Sequence, residues 1–328
     1  MKRMVLISLM VVAAMVWMTN YANAIHPFVQ PNDKTVTIGV VVPAPDHPWL
    51  AENAKAAKKA AEMLGPTCKL IVLDRSNAPE GQINDVESLL IKKVDGIVLL
   101  AVEGGPLTPI CAKVKQAGIP LASVSRLIES NDYTVKVEGD NVLIGYMAGE
   151  YIAKRLNGKG KVVEIGGIPG LTDTVERAEG FRKALKRYPG VEIVASQPGY
   201  YVVSKGMTAM EDILTANKKI DAVWSHNDAM AIGADKAIKA RGRTNEMFIV
   251  GADGNREMFK LIKSGTSSCQ ASIIYPPQMT GDAVLLIYLA TQGRGIPGFF
   301  DKEIPVHFKI KTSLVTKENV DEFWDMSF

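Results

Sequence analysis

"TVTIGVVVPAPDHPWLAENAKAAKKAA", residues 35–61, carries the pattern on which the fold turns. Residues 35–42 are apolar and β-branched almost throughout, as in a strand buried on both faces of a parallel sheet. From Trp49 to Leu64 the apolar side chains fall at helical spacing, with Ala54, Ala57, Ala61 and Leu64 on one face. The turn between them holds Asp46, His47 and Trp49. A nucleotide-binding turn would hold glycines there, so that backbone N–H groups could close around a phosphate. Pro43, Pro45 and Pro48 instead remove donors and stiffen the loop. It is built to hold side chains in fixed directions, with Trp49 as a stacking wall and Asp46 as a hydroxyl acceptor.

The alternation continues. "KLIVLD" (69–74), "VDGIVLLAV" (94–102) and "IPLASVS" (119–125) read as strands, with helical runs between them. It then starts again with "KVVEIGGI" (161–168), "VEIVASQPGYY", "IDAVWSHND" and "MFIVGADG" (247–254). The repeat distance is about 125 residues, which marks a duplicated domain rather than a solenoid. The predicted fold class is α/β, with two similar doubly wound, Rossmann-like parallel-sheet lobes. A chain of 328 residues suits two such lobes. Crossings are expected near 137–141, 274–277 and 305–309, a three-segment hinge. They divide the chain into a first lobe of residues 25–138 plus 276–306 and a second of 139–275 plus 307–328. A last strand pair is expected in "EIPVHFKIKTSLVT".

Residues 1–24 read as a cleaved signal peptide. Lys2 and Arg3 precede an apolar run from Met4 to Met18, and Ala22-Asn23-Ala24 supplies a small-x-small cleavage site. The run is short of the roughly 20 residues a spanning helix needs. A periplasmic location follows. Removal of Lys2 and Arg3 takes the formal charge from +3 to +1, so no global field for nucleic acid or anionic lipid remains. Cys68, Cys111 and Cys269 lack metal-ligand spacing. An oxidising compartment permits one disulfide among them, but the plainer reading is three small buried side chains.

In an open α/β sheet, ligands bind beyond the carboxyl ends of the strands. There the first lobe offers Asp46, His47, Trp49, Glu103 and Arg126. The second offers Asp173, Tyr201, Asn227 and Asp253, and the second crossing adds Tyr275. Aromatic faces cover the apolar C–H faces of a sugar ring, and Asp, Asn and Arg satisfy its hydroxyls. The set therefore suits a small neutral sugar or polyol. Each residue also has a plainer reading. Trp49 could pack a helix start, Asn227 could cap one, Asp253 could sit in a turn, and Arg126 could pair with Asp46.

These segments resemble the ribose-binding-protein family, the type I periplasmic sugar-binding proteins of ABC importers. The resemblance covers nearly all of the mature chain and rests most on "VWSHNDAMAIGA" and "IVGADG". It implies that Asn227 and Asp253 hold sugar hydroxyls and that Trp49 and Tyr201 are stacking aromatics. It also implies a monomer without cofactor that delivers its ligand to an importer permease. The chain departs from the family at Ser125-Arg126, where Asp-Arg is common, at Val175 in place of an Arg, and at Tyr275 in place of a Gln. Arg177 remains, at a helix position usually concerned with structure. These departures admit a pentitol, tetritol or deoxysugar as readily as ribose.

Other classes are disfavoured. "GGIPG" (166–170) lacks the G-x-G-x-x-G spacing and has Pro169 in its turn. No G-x-S-x-G elbow or metal motif is present, so nothing prompts an enzyme or a metal site. A repressor built on this core is opposed by the secretory signal and the missing helix-turn-helix. The alternative that stays open is a periplasmic receptor presenting its ligand to a chemoreceptor or sensor kinase.

Overall fold

The structure, a computed structural model, describes residues 29–294 and 306–328. The expected signal segment 1–24 lies outside them. Strands β1 (Val36–Pro43), β2 (Cys68–Ser76), β3 (Gly96–Leu99), β4 (Leu121–Val124) and β5 (Val135–Gly139) alternate with helices α1 (Pro48–Leu64), α2 (Pro79–Ile91) and α3 (Gly104–Gln116). The second series runs α4 (Asn141–Arg155), β6 (Lys159–Gly166), α5 (Thr172–Leu185), β7 (Gly190–Pro198), α6 (Val203–Ala216), β8 (Ala222–Ser225), α7 (Asp228–Ala240), β9 (Phe248–Asp253), α8 (Arg256–Ser264) and β10 (Cys269–Ile274). Helix α9 (Met279–Thr291) and strands β11 (Val306–Ile310) and β12 (Leu314–Thr316) complete the described chain.

Two six-stranded sheets result, ordered β11-β5-β4-β3-β1-β2 and β12-β10-β9-β8-β6-β7. This is the expected pair of doubly wound lobes. The burial of β1 follows from its place. It lies between β2 and β3, with Val40 opposite both Val72 and Val98, and helices cover both faces. Hence its nearly continuous apolar run. Strand β2 is the edge and is half-buried along most of its length.

The chain crosses between lobes three times. Helix α4 follows β5 directly and packs on α5 and the second sheet. Helix α9 follows β10 but packs on α1 and on β3, β4 and β5. The third crossing is a correction. Residues 307–310 were expected in the second lobe, yet β11 pairs in parallel with β5 along Val306–Ile310. The chain therefore crosses only after Ile310, and β12 adds antiparallel to β10. The expected terminal strand pair is two strands in two different sheets. The short connection after Ile310 carries the chain from the edge of the first sheet beside β5 to the edge of the second beside β10.

Two glycines fix how the second lobe opens. Helices α4 and α5 cross where Gly145 faces the Arg177 carbonyl and Gly180 faces the Val142 carbonyl, with no room for a Cβ at either. Phe181 and Trp224 lie fully buried beneath, with ring centroids 6.0 Å apart. Replacing Gly180 by Ala should force the helices apart and cost about 2–3 kcal/mol. A urea unfolding midpoint within error of the parent's would show that the contact is not limiting.

Candidate functional site

Both sheets point their carboxyl ends at one cleft. His47, Trp49 and Arg126 reach it from the first lobe, and Asp173, Arg177, Tyr201, Asn227 and Asp253 from the second; Tyr275 lies at the second crossing. The empty space between them is about 270 Å³, open solvent at the mouth included.

One wall is a row of rings. Trp49 stacks on Tyr275 at 5.3 Å and 28° and donates from its indole N–H to the Tyr275 carbonyl at 2.9 Å. His47 lies nearly parallel to Trp49 at 6.4 Å, and Tyr201 of the opposite lobe is 6.4 Å beyond it. Hydroxyl pairs fix the two tyrosines: Tyr275 with Ser125 at 2.8 Å and Tyr201 with Thr174 at 2.9 Å. Trp49 takes this position because Pro48 opens α1 and His47, in the extended region, ends the loop before it.

The other wall is charged. Arg177 is buried and donates to Asn141 Oδ1 at 2.9 Å and to the His226 carbonyl. Its Nη1 is 3.8 Å from Asp253 Oδ1, and its guanidinium lies 4.7 Å over the Tyr275 ring. Burial works against its charge, but Tyr201, Asp253, Tyr275 and Asp173 outweigh that and raise its pKa. Burial pushes the Asp253 carboxyl well above the ordinary range, with Arg177 opposing. His47 is held neutral, its pKa brought down to about 3 by burial and then by Arg126.

Below this wall lies a scaffold of paired groups. Asp228 accepts from the Gly254 and Asn255 backbone N–H groups at 2.9 and 2.8 Å and from the Ser272 hydroxyl. These bonds pin the turn that presents Asp253. Asn227, rather than Asp228, caps α7 by accepting from the Met230 N–H at 2.9 Å, while its own amide donates to the Tyr201 carbonyl at 3.3 Å. Glu164 accepts two bonds from Arg182, at 3.1 and 2.8 Å, one from Ser196 at 2.9 Å, and faces His226 Nε2 at 3.1 Å. Burial opposes its charge, yet the His226 and Arg182 bonds hold its pKa down to about 2. Burial also drives the His226 pKa down. His226 thus supplies a neutral N–H at pH 7, and Arg182 carries the compensating charge.

Backbone strain gathers at the same place. Ser125, Tyr200, Tyr201 and Asp253 have φ of 58°, 55°, 65° and 129°. Each such conformation costs on the order of 1–3 kcal/mol in a non-glycine residue. All four are, or directly precede, residues that line the cleft.

The sequence placed Trp49, Arg126, Tyr201, Asn227, Asp253 and Tyr275 here, together with His47 and Asp173, and the structure brings all eight to one cavity. Asp46 and Glu103 are corrections. The Asp46 N–H donates to the Ala44 carbonyl at 2.9 Å, and this tight turn sends its side chain to solvent, 52% exposed, while His47 turns inward. Glu103 is exposed in the N-cap position of α3 and is not among the residues that line the cavity. Arg126 does not pair with Asp46; its nearest carboxylate is Asp173 of the other lobe. Arg177 was missed as a lining residue. Its signal was its spacing: Asp173 and Arg177 continue the buried stripe of Gly180, Phe181 and Ala184 along α5. Cys68, Cys111 and Cys269 are free and buried. Among the described residues no cluster of His, Cys, Asp and Glu could hold a metal ion.

Two duplicated α/β lobes, crossed three times and lined with rings and paired charges at their shared cleft, define a protein that encloses a solute. The chain matches the periplasmic binding protein domain over residues 38–294. It is 31% identical to the ribose import binding protein RbsB of Bacillus subtilis strain 168, over 76% of this chain and 79% of that one. It is 34% identical to the galactofuranose-binding protein YtfQ of Escherichia coli K12, over 76% and 80%. A solved structure of the binding protein of the arabinose ABC transporter from Shewanella sp. ANA-3, bound to α- and β-L-arabinofuranose, superposes with a TM-score of 0.81 at 28% identity, covering 88% of this chain and 94% of that one. The chain belongs to the periplasmic binding protein family. Its role is that of a solute-binding component of ABC transport, not of an enzyme.

Glu164 generates a pH prediction. Its carboxyl titrates at 4.5 when unperturbed and at about 2 in the fold, so its stabilisation is complete above pH 4.5 and lost as pH falls from there through 2. The window is worth at most about 3 kcal/mol. Glu164→Gln should flatten stability across it, and a parent-like slope in acid unfolding curves would assign the effect elsewhere. Tyr200 is 45% exposed with a positive φ, so Tyr200→Gly should raise stability by up to about 1 kcal/mol in urea unfolding. A loss of stability would mean that the side chain's contacts outweigh the strain.

Proposed function

We propose that the protein captures a small neutral sugar or polyol between its lobes and delivers it to the permease of an ABC importer. The carrying observation is the composition of the cleft. Two guanidiniums, Arg126 and Arg177, and two carboxylates, Asp173 and Asp253, line one small cavity beside a row of aromatic rings. Each guanidinium faces one carboxyl, Arg126 with Asp173 and Arg177 with Asp253, and His47 adds no charge, so no charged group is left over for an ionic ligand. A neutral ring offers apolar faces to Trp49 and Tyr201, and its hydroxyls find donors on Arg and acceptors on Asp. A hydroxyl left unpaired costs about 1–3 kcal/mol, so such a site separates epimers.

The lobes act as jaws on the three crossing segments. Contacts from both lobes are complete only when the jaws are closed, so ligand shifts the population toward that state. The permease then reads the faces beside the closed cleft. The protein works in the periplasm as a monomer after loss of residues 1–24. The lobe division follows the three crossings, with the last boundary moved beyond Ile310. A sensor-kinase or chemoreceptor partner is the second use of the same closure. It is separated from the first by whether loaded protein stimulates ATP hydrolysis by its reconstituted importer.

Mass spectrometry of ligand released from the purified mature protein, followed by a thermal-shift panel, tests the reading. A ligand at 100 times its Kd should add about 2.7 kcal/mol of stability. A flat response to pentoses, hexoses and polyols would end the proposal. Asp253→Ala should abolish binding and leave the circular dichroism spectrum unchanged, and parent affinity in that variant would remove Asp253 from the site.

A further inference from the structure

Arg126 and Asp173 face each other from opposite lobes. The first follows β4; the second lies in the first turn of α5. Their side chains are 8% and 7% exposed. Arg126 Nη1 reaches the Val102 carbonyl at 3.4 Å, but its buried Nε has no hydrogen-bond partner. Asp173 Oδ1 accepts from Asn141 at 3.4 Å, and Oδ2 lies 3.9 Å from Arg126 Nε. That distance is too long for a hydrogen bond. It leaves a buried donor and a buried acceptor facing each other across the line between the lobes, both on the cavity wall.

One kind of group completes this pair. An oxygen placed about 2.8 Å from both atoms sits off the line joining them, at an apex angle of about 90°, which a hydroxyl tolerates. It must accept from a guanidinium and donate to a carboxylate at once. A hydroxyl does both, whereas a carbonyl only accepts and an ammonium only donates. We propose that a single ligand hydroxyl bridges Arg126 Nε and Asp173 Oδ2, so that Asp173 is a specificity-determining residue that couples recognition of that hydroxyl to closure of the two lobes. The proposal rests on the sugar or polyol reading above. It assigns one position on the ligand to a cross-lobe pair and leaves the remaining hydroxyls to contacts within either lobe. A deoxy ligand lacking this hydroxyl would leave both groups buried and unpaired in the closed state. The jaws would then close less often around a ligand that fits in every other respect.

The test is a cycle between protein and ligand. The tightest binder among D-ribose, L-arabinose, D-galactose, D-fructose, xylitol and myo-inositol is taken forward with its monodeoxy analogues. Affinities are measured by calorimetry for the parent, Asp173→Ala and Asp173→Asn, and closure is followed by small-angle X-ray scattering. The expected result has three parts. Both variants lose at least about tenfold in affinity, one deoxy analogue loses a similar factor against the parent, and that penalty disappears in Asp173→Ala while the other deoxy penalties persist. Ligand should also compact the parent more than Asp173→Ala. Binding by the parent with Asp173→Ala within twofold of it, or with every deoxy penalty unchanged in the variant, overturns the bridge alone. No binding by the parent to any of the six compounds overturns both the bridge and the reading beneath it. The asparagine variant keeps the side-chain volume, so a fold defect confined to the alanine variant still leaves the cycle decisive.

Discussion

The cleft depends on one constraint: a guanidinium taken out of water must find its partners inside the protein. Arg177 meets it by joining parts that would otherwise be independent. It bonds Asn141 at the first crossing, the carbonyl of His226 below the cleft and, more loosely, Asp253 at the end of β9, and it covers the Tyr275 ring at the second crossing. Two of the three crossings are thus tied to the floor of the second lobe through one side chain. Removing it would leave an uncompensated carboxylate and an open face on Tyr275 together, so these groups are best understood as a unit.

Around that unit the protein separates support from recognition. Asp228 and Glu164 are as deeply buried as the lining residues, but their oxygens are taken up by backbone N–H groups, Ser272, Arg182, Ser196 and His226. They have little left to offer a ligand and serve to hold the turns that do. The lining atoms differ in this respect. Arg126 Nε and His47 Nδ1 are buried without a hydrogen-bond partner among the described residues. Unpaired groups facing a cavity, hydrogen-bonded carboxylates behind it and positive φ angles between them describe a surface organised before its ligand arrives.

Much of this was legible in the sequence because the rule linking sequence to site is topological. Once a βαβ series is recognised, the residues after each strand must gather at one edge, whatever the details of packing. Trp49, Arg126, Tyr201, Asn227, Asp253 and Tyr275 were located that way. The rule locates a loop but not the direction of each side chain within it. Asp46 and His47 are neighbours, and a single bond from the Asp46 N–H to the Ala44 carbonyl decides which of them faces the cavity. Arg177 escaped for a different reason. It sits one turn inside a helix, and whether the polar end of a buried stripe meets a sheet or a cleft depends on how α5 crosses α4, a matter settled by Gly145 and Gly180.

The sequence by itself determined the secondary-structure order, the duplication, the parallel sheets and the loops that carry chemistry, because hydrophobic period and turn composition are local properties and parallel crossovers have one hand. Only the tertiary structure decided which atoms meet. It placed β11 and β12 in different sheets, set Arg126 opposite Asp173 rather than Asp46, and drew a helix arginine into the cleft. Those outcomes rest on contacts between residues far apart in the chain, where burial makes pairing obligatory and no local pattern records the partner.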